Sequence, residues 1–383
     1  MAPASFTPNA MLSIDGAGAI SLSLPKTEMG QGVYTALTMM IAEEMDVTAQ
    51  SIAILLPDGE SGRFGKVTQD TGGSTTIREC WKPVRQAAAD ARGALIAAAA
   101  AQWKVAPDEC SAVDGQVVHA ASKRSLPYGA LVASAATMKL PEKTPVKTAG
   151  FKVIGKPQHR LDSPAKVRGE AEYGIDVRLP GMKVATLAQA PVFGGTLDSV
   201  NEAAAMAVKG VVQVVRLPDA VAVVADHYWA ARKGLEALSP TWKEGSNATA
   251  SQAAIIANYA RAAQGEGASA MAEGGLDAAM MAKAMAGATR KISAVYEQPF
   301  LAHATMEPGN CVVHVKDGGC EIWTGTQIPG SARDEAAKAM GVPADKVVLH
   351  NKLMGGGFGR RLEPDYILRA IEVGKQVQAP VKL

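Results

Sequence analysis

The residues of this chain best suited to chemistry fall in a few short stretches. Residues 353–366 read LMGGGFGRRLEPDY, three glycines followed by an aromatic and two arginines. A strand-like run, KVVLH at 346–350, precedes them and a helix-like run follows, so the glycines stand at a turn. Lacking a Cβ, they let a ligand approach the backbone, and a row of exposed N–H groups makes a concavity suited to an anion. Residues 28–34, EMGQGVY, have the same character on a smaller scale. Gln31 there carries an amide that both donates and accepts, which suits the edge of a heterocycle as well as a phosphate. EMGQG reads either as a plain strand-to-helix turn or as an anion site at a helix N-terminus. Residues 70–78, DTGGSTTIR, set Thr71, Ser74, Thr75 and Thr76 around Gly72 and Gly73 where a long helix begins. That cluster reads either as a helix N-cap or as a second cradle, with hydroxyls and N–H groups converging on a phosphate.

Other reactive residue types are less organised. His303 and Glu307 lie four apart in EQPFLAHATMEPGN (297–310). They offer an acid–base pair or half of a metal site, but no further ligand stands nearby. A hydrogen-bonded structural pair is the expected reading. Cys80, Cys110, Cys311 and Cys320 are isolated, with no CxxC and no histidine at ligand spacing, so neither zinc nor an iron–sulfur cluster is encoded. His119 reads as structural, and the methionines between 247 and 289 as core filler. GGGFGRR lacks the Rossmann spacing, and no GxxxxGK followed by Ser or Thr occurs, so a nucleotide phosphate site is a weak reading.

The elements that must position these residues follow from pattern. An alternating run around DGAG predicts a hairpin over 10–24, and helical spacing predicts a helix over 33–45. A strand at 51–56, a helix over 79–102, a hairpin over 113–119 and a helix in SLPYGALVASAA (125–136) come next, and 139–150, rich in Pro and Lys, reads as a linker. Residues 151–242 read as a separate unit. It opens with a strand-and-turn series through Met182, then strands at 183–187, 211–217 and 220–225 and a helix over 228–238. Residues 247–289 suggest two helices around a mobile connection at 264–267. A strand at 291–296, an irregular loop, strands at 311–315 and 320–324 and a helix over 331–340 complete the pattern.

Composition sets the outer limits. At 383 residues the chain can bury a large core and hold two or three domains. A net charge of +2 and 5% aromatic residues give no case for nucleic acid as a partner. The longest apolar run, ALIAAAAA at 94–101, is far short of the roughly 20 residues of a membrane span. The opening MAPASFTPNAM has no basic stretch leading into an apolar one, so no signal peptide is visible, and both periplasm and cytoplasm stay open.

Five motifs in a fixed order carry a resemblance. They are EMGQG (28–32), IGKPQHRLDSPAKVRGEAEYGIDV (154–177), QPFLAHATMEPGN (298–310), TGTQIP (324–329) and GGGFGRR (355–361). Together they resemble the molybdopterin-binding large subunit of the xanthine dehydrogenase family, in the branch of isoquinoline 1-oxidoreductase β-subunits and membrane-linked aldehyde dehydrogenases. The early position of the GQG segment is similar to that branch's permuted order. The resemblance implies an α+β, multidomain molybdenum hydroxylase large-subunit architecture that includes an α/β hammerhead domain. It also implies a truncated chain, the N-terminal half only. Four segments are then expected: a molybdopterin-binding segment over 1–147, a hammerhead-like domain over 148–243, an Ala-rich helical connection over 244–290, and the first part of a molybdenum-binding domain over 291–383.

Residue by residue, the resemblance places Gln327 against the metal's oxo group, and Phe358 and Gly359 beside the molybdenum, with Gly356, Gly357 and Arg360 in the same cofactor-facing loop. Gly30, Gln31 and Gly32 would contact the pterin dithiolene; Thr71, Gly72, Gly73, Ser74, Thr75 and Thr76 would hold its phosphate tail. No side chain of the chain is assigned as a metal ligand. The family's catalytic glutamate belongs to a late motif with no counterpart here, and Glu307 does not replace it. The implied cofactor is molybdopterin with molybdenum, in the cytosine dinucleotide form. The implied reaction hydroxylates an aldehyde or the carbon beside a ring nitrogen, with water as oxygen source. Electrons would leave to 2Fe–2S clusters on a small partner subunit and on to a cytochrome c, and a second chain would supply the C-terminal half. The competing reading is a catalytically silent cofactor-binding or assembly module.

Overall fold

The computed structural model describes residues 5–60, 62–138, 144–264 and 277–383. Most of the connection expected at 264–267, and part of the 139–150 linker, lie outside the described residues. The fold is α+β. Strands β1 (Ser5–Phe6), β2 (Leu12–Asp15) and β3 (Ile20–Ser23) pair antiparallel, and helix α1 (Val33–Met45) returns the chain to β4 (Ile52–Leu55), parallel to β3. Leu12, Ile14, Ile20 and Leu22 alternate into the core. The Asp15 carboxylate closes the β2–β3 turn by accepting from the amides of Ala17 and Ala19. Helix α2 (Thr76–Trp103) lies against α1, and its buried Ala88, Ala91, Ala94 and Ala98 let the two approach closely. Strands β5 (Cys110–Val113), β6 (Gln116–His119) and β7 (Arg124–Pro127) form a small antiparallel sheet, followed by α3 (Tyr128–Ala135).

Residues 151–182 depart from the expected strand-and-turn series. They hold one short helix, α4 (Ser163–Val167), a 3-10 turn at Gly174–Asp176, and a lone bridge between Tyr173 and Leu353. Here backbone amides are met by side chains instead of by a neighbouring strand. Glu43 accepts from Val153 and Ile154, and Thr35 accepts from Leu161. Pro157, Pro164 and Pro180 remove donors that a ladder would require.

The large sheet draws on two stretches of the chain. Strands β8 (Lys183–Gln189), β10 (Val211–Arg216) and β11 (Ala220–Ala225) are joined to β13 (Cys311–Lys316), β14 (Gly319–Thr324) and β15 (Val347–Asn351) through the two-residue β16 (Val381–Lys382). The order is β10-β11-β8-β16-β13-β14-β15. Helices α5 (Glu202–Met206) and α6 (Tyr228–Leu238) pack on the β8–β11 part, while β9 (Thr196–Ser199) pairs with β12 (Thr241–Lys243). Helices α9 (Pro329–Met340) and α10 (Asp365–Gly374) pack on the β13–β15 part. Helices α7 (Gln252–Ala262) and α8 (Ala278–Gly287) are largely exposed. The strand expected at 291–296 does not form. Ile292, Val295 and Tyr296 have the right residue types, but no described strand lies alongside to accept their backbone bonds, and all three are exposed. No helix among the described residues is long and apolar enough to cross a membrane.

Helix α1 also buries Glu44, whose carboxylate is completely enclosed between Arg85 and Arg92, each 2.7 Å away. Removing it would leave two arginines without their anion. Glu44→Ala should therefore destabilise the chain by about 3–5 kcal/mol, the usual cost of breaking a buried ion pair from one side, read as the shift in a urea unfolding midpoint.

Candidate functional site

The glycine loop at 355–359 is built on a buried ion pair. Glu307 is 7% exposed and Arg361 1% exposed, and their side chains meet at 2.8 Å. The Glu307 carboxylate accepts from the Gly355 amide at 2.8 Å on one oxygen, and from Ile175 N–H and the Asn310 amide on the other. Arg361 donates to the carbonyls of Gly356, Gly325 and Glu307. A Cβ at Gly355 would sit 2.4 Å from the Glu307 Cβ, so only glycine fits that shelf. The expected pair of His303 with Glu307 is overturned: no hydrogen bond among the described residues joins them, and His303 is exposed. Arg361 offers a full buried charge, which outcompetes an imidazole for that carboxylate.

Phe358 stands at the tip of this loop with φ +52° and is 71% exposed. A large aromatic held left-handed and facing solvent is strained and unburied, a combination that marks functional sites.

The EMGQG loop is folded around its own anion. Glu28 is buried; its Oε1 accepts from the amides of Gly30 and Gly32 at 2.8 and 2.9 Å, and its Oε2 from Tyr34 at 3.0 Å. Gln31 closes the ring, accepting from Met29 N–H and donating to the Thr27 carbonyl. Arg160 clamps the outside through the Gly30 carbonyl and Glu28 Oε1. Its hydrogen bonds to Asp162 hold that carboxyl down at about 2. The N-terminus of α1 is thus already occupied by a protein carboxylate, and burial together with that charge pushes the Tyr34 phenol well above its ordinary value.

The DTGGSTT stretch behaves differently. No side chain caps α2, so the N-cap reading finds no support there; Thr75 Oγ1 turns back to the Gly72 carbonyl. No described residue accepts from the first-turn amides of Thr76 and Ile77. Thr71 belongs to a buried network: its hydroxyl accepts from Thr27 N–H, its amide donates to the Gln327 carbonyl at 2.8 Å, and its carbonyl accepts from Gln327 Nε2 at 2.8 Å. Asn351 ties Thr27 to Thr326, and Lys26 reaches the Asp70 carbonyl and Glu79. Gln327 is 2% exposed, and its Oε1 is one of four buried side-chain atoms among the described residues with no hydrogen-bond partner. A Cβ at Gly357 would fall 2.7 Å from that oxygen and 2.8 Å from Met29 Sδ.

These loops enclose a cavity of about 410 Å³. Of the residues singled out from sequence, Gln31, Gly32, Thr71, Gly72, Ser74, Thr76, Gln327, Phe358 and Gly359 line it. Gly30, Gly73, Thr75, Gly356, Gly357 and Arg360 do not, and Arg360 instead pairs with Asp365 beside a separate groove. Sequence reasoning missed the apolar lining of Met29, Val33, Ala36 and Ile77, and missed the supports Glu28, Thr27, Arg361 and Asn351. A glutamate leading directly into a glycine loop at a helix start is the signal that could have found Glu28.

Residues 264–383 and 2–175 each match the molybdopterin cofactor-binding domain family. The chain is 30% identical to the isoquinoline 1-oxidoreductase subunit beta of Brevundimonas diminuta, over 99% of this chain and 54% of that protein. It is 32% identical to the membrane-bound aldehyde dehydrogenase (pyrroloquinoline-quinone) of Gluconacetobacter polyoxogenes, over 99% of this chain and 50% of that one. The solved quinoline 2-oxidoreductase of Pseudomonas putida 86 aligns with 58% of this chain and 33% of its own, at 19% identity and a TM-score of 0.44. The chain spans about half the length of the curated relatives it matches. On the family and sequence matches, the chain belongs to the molybdopterin cofactor-binding domain family and is homologous to large subunits of the xanthine dehydrogenase family.

Proposed function

We propose that this chain forms one wall of a molybdenum hydroxylase site, holding a molybdenum-bearing molybdopterin between the 28–32, 71–76 and 355–359 loops. The observation that carries this reading is the orphaned Gln327 Oε1, buried at a cavity where all three loops meet. A buried amide oxygen without a partner costs roughly 1–3 kcal/mol unless a bound group supplies a donor. The cavity fits an anionic heterocycle: free amides and hydroxyls at the start of α2 suit a phosphate, and Met29, Val33, Ala36, Ile77 and Phe358 suit a ring system.

Bound there, the cofactor would supply a redox-active metal able to place a water-derived oxygen on an electron-poor carbon and take up two electrons. The chain's own residues orient and enclose. Gln327 fixes the head group through its amide, while Thr71 holds that amide in place. Ser74 and Thr76, with the first-turn amides of α2, hold the phosphate end, in a cytosine dinucleotide form of the pterin. Gln31 and Gly32 contribute their cavity-facing surfaces, since the loop amides of Gly30 and Gly32 already serve Glu28. Phe358 shields the reacting region from water. No acidic residue among the described residues lines the cavity, and Glu307 is fully engaged with Arg361, Gly355, Ile175 and Asn310. The proton-abstracting base therefore comes from the rest of the large subunit. The substrate class is an aldehyde or an N-heteroaromatic ring, and the electrons pass to a small 2Fe–2S subunit and then a cytochrome c. Residues 148–243 serve as the hammerhead-like domain of this assembly.

The first test expresses the chain with the remaining half of a related large subunit and measures molybdenum and pterin in the purified protein. Stoichiometric metal is expected, with retention falling at least tenfold in Gln327→Leu, on the order of the loss of one buried hydrogen bond. Metal-free protein under every condition would support the silent assembly module instead. A second test contrasts the adjacent arginines. Arg361→Met should cost about 3–5 kcal/mol in an unfolding titration because it strands Glu307. Arg360→Met, which breaks a partly exposed pair with Asp365 and a cation contact over the Tyr366 ring, should cost only about 0–1 kcal/mol for the pair and about 0.5–1 kcal/mol for the ring contact.

A further inference from the structure

Outside the cavity, the small sheet of β5, β6 and β7 carries a serine, a histidine and a glutamate in one hydrogen-bonded line. His119 ends β6 with its side chain buried, and it pairs across the sheet with Cys110 on one side and Arg124 on the other. The turn Ala120–Ser122 brings Ser122 back over the ring, so that its Oγ lies 2.6 Å from His119 Nδ1. Glu109, immediately before β5, places a carboxylate oxygen 3.1 Å from His119 Nε2. Arg124 Nε donates to the same Ser122 Oγ at 2.6 Å. The Trp103 indole backs the line, its centroid 6.3 Å from that of the His119 ring and 5.4 Å from the Arg124 guanidinium carbon. These partners assign the protons. A guanidinium only donates, so the Ser122 oxygen accepts from Arg124 and its own hydrogen goes to Nδ1. A carboxylate only accepts, so Nε2 carries the imidazole hydrogen and Nδ1 presents its lone pair to the hydroxyl. That is the tautomer of a general base facing a nucleophile, with a third group orienting the base. Closing the turn does not require it, since Lys123 N–H already donates to the Ala120 carbonyl. Ser122 itself is exposed, which leaves its Oγ open to solutes.

We propose that Ser122 is a nucleophile that accepts an acyl group from an activated carboxylic ester, with His119 as its base. In the step, Ser122 Oγ forms a bond to the acyl carbon while His119 Nδ1 takes the hydroxyl proton. The carbon–oxygen bond to the leaving group then breaks with its electron pair, and the proton passes to the leaving oxygen or to solvent. Nothing is oxidised or reduced. Glu109 steadies the imidazolium so formed and acts as a positioning residue. Arg124, with the exposed Lys123 beside it, favours a leaving group that departs as an anion. Glu109, His119, Ser122 and Arg124 do not line the cofactor cavity, so the site stands apart from the large-subunit reading. The sequence reading of His119 as purely structural is replaced by one in which burial against Trp103 holds a working base in place.

The test incubates the full chain with p-nitrophenyl acetate, follows p-nitrophenolate by absorbance and locates the acetyl group by peptide mass spectrometry. Acetylation of Ser122 is expected, about a hundredfold faster than in His119→Gln, within the range of a positioned general base. Ser122→Ala should lose the fast phase of p-nitrophenolate release. Glu109→Gln should slow acetylation about tenfold or more, and Glu109→Asp should recover most of the rate. The Ser122 and Glu109 side chains are exposed, so the unfolding midpoints of Ser122→Ala and Glu109→Gln should stay where they are, which a merely structural network would not combine with a lost rate. Acetyl groups found only on lysines overturn the proposal. Ser122 acetylation at an unchanged rate in His119→Gln overturns it too, and leaves the network as a tie across the β6–β7 turn. If His119→Gln does not fold, Glu109→Gln decides, and an unchanged rate there overturns the proposal.

Discussion

A glycine loop that exposes its amides to a ligand must first be held open, and here the holding is done by buried carboxylates, each paired with a guanidinium. Glu307 and Arg361 define the 355–359 loop, with Glu307 meeting the Gly355 amide and Arg361 gathering three carbonyls. Glu28 and Arg160 do the same for 28–32 from a different part of the chain. In each case the carboxylate supplies the acceptors that turning glycine amides lack, and the arginine offsets the charge so created. A hydrocarbon core could not do this, because a loop without its own ladder has no other internal partner for those groups. The arrangement is pre-organised: the loops hold their shape through protein contacts alone.

The same accounting separates two helix starts that look alike in sequence. Both α1 and α2 begin after glycines, and both dipoles favour an anion. At α1 the anion is Glu28, built in. At α2 the first-turn amides of Thr76 and Ile77, beside the cavity, have no acceptor among the described residues. On the proposed reading the phosphate end therefore goes to α2, while EMGQG contributes shape. Gln327 lies between, tied to Thr71 by two backbone-level bonds that fix where its amide can reach.

Much of this was legible in the sequence. The β2–β3 hairpin follows period and turn chemistry, because buried positions alternate with more exposed ones along both strands; the α1, α6 and α9 helices and the β13–β14 hairpin were legible too, although α1 is buried on nearly every side. The convergence of Gln31, Thr71, Gln327 and Phe358 followed from motifs, whose order survives in the fold. What could not be read was satisfaction. Glu28, Glu43, Glu44 and Arg361 look like surface residues by type, yet all are buried, because their partners Arg160, Val153, Arg85 and Glu307 lie 41 to 132 positions away. Residues 151–177 misled for the same reason. Their backbone bonds go to distant side chains, and no local period encodes that.

Residues 291–296 failed differently, and the failure is informative. Val295 and Tyr296, in the stretch read as a strand, and Leu301 and Met306, in the loop read after it, are all strongly exposed. This ribbon runs beside the glycine loop: Thr305 lies 3.6 Å from where a Cβ at Gly356 would stand, and His303 4.0 Å from one at Gly359. Covering four such side chains would contribute about 1.5–3 kcal/mol each, enough to hold a second surface in place. A surface seated there would also close over Phe358 and dry the cavity, strengthening every polar contact inside it. The loops beneath are already held by protein contacts, so such a closure would not have to order them first.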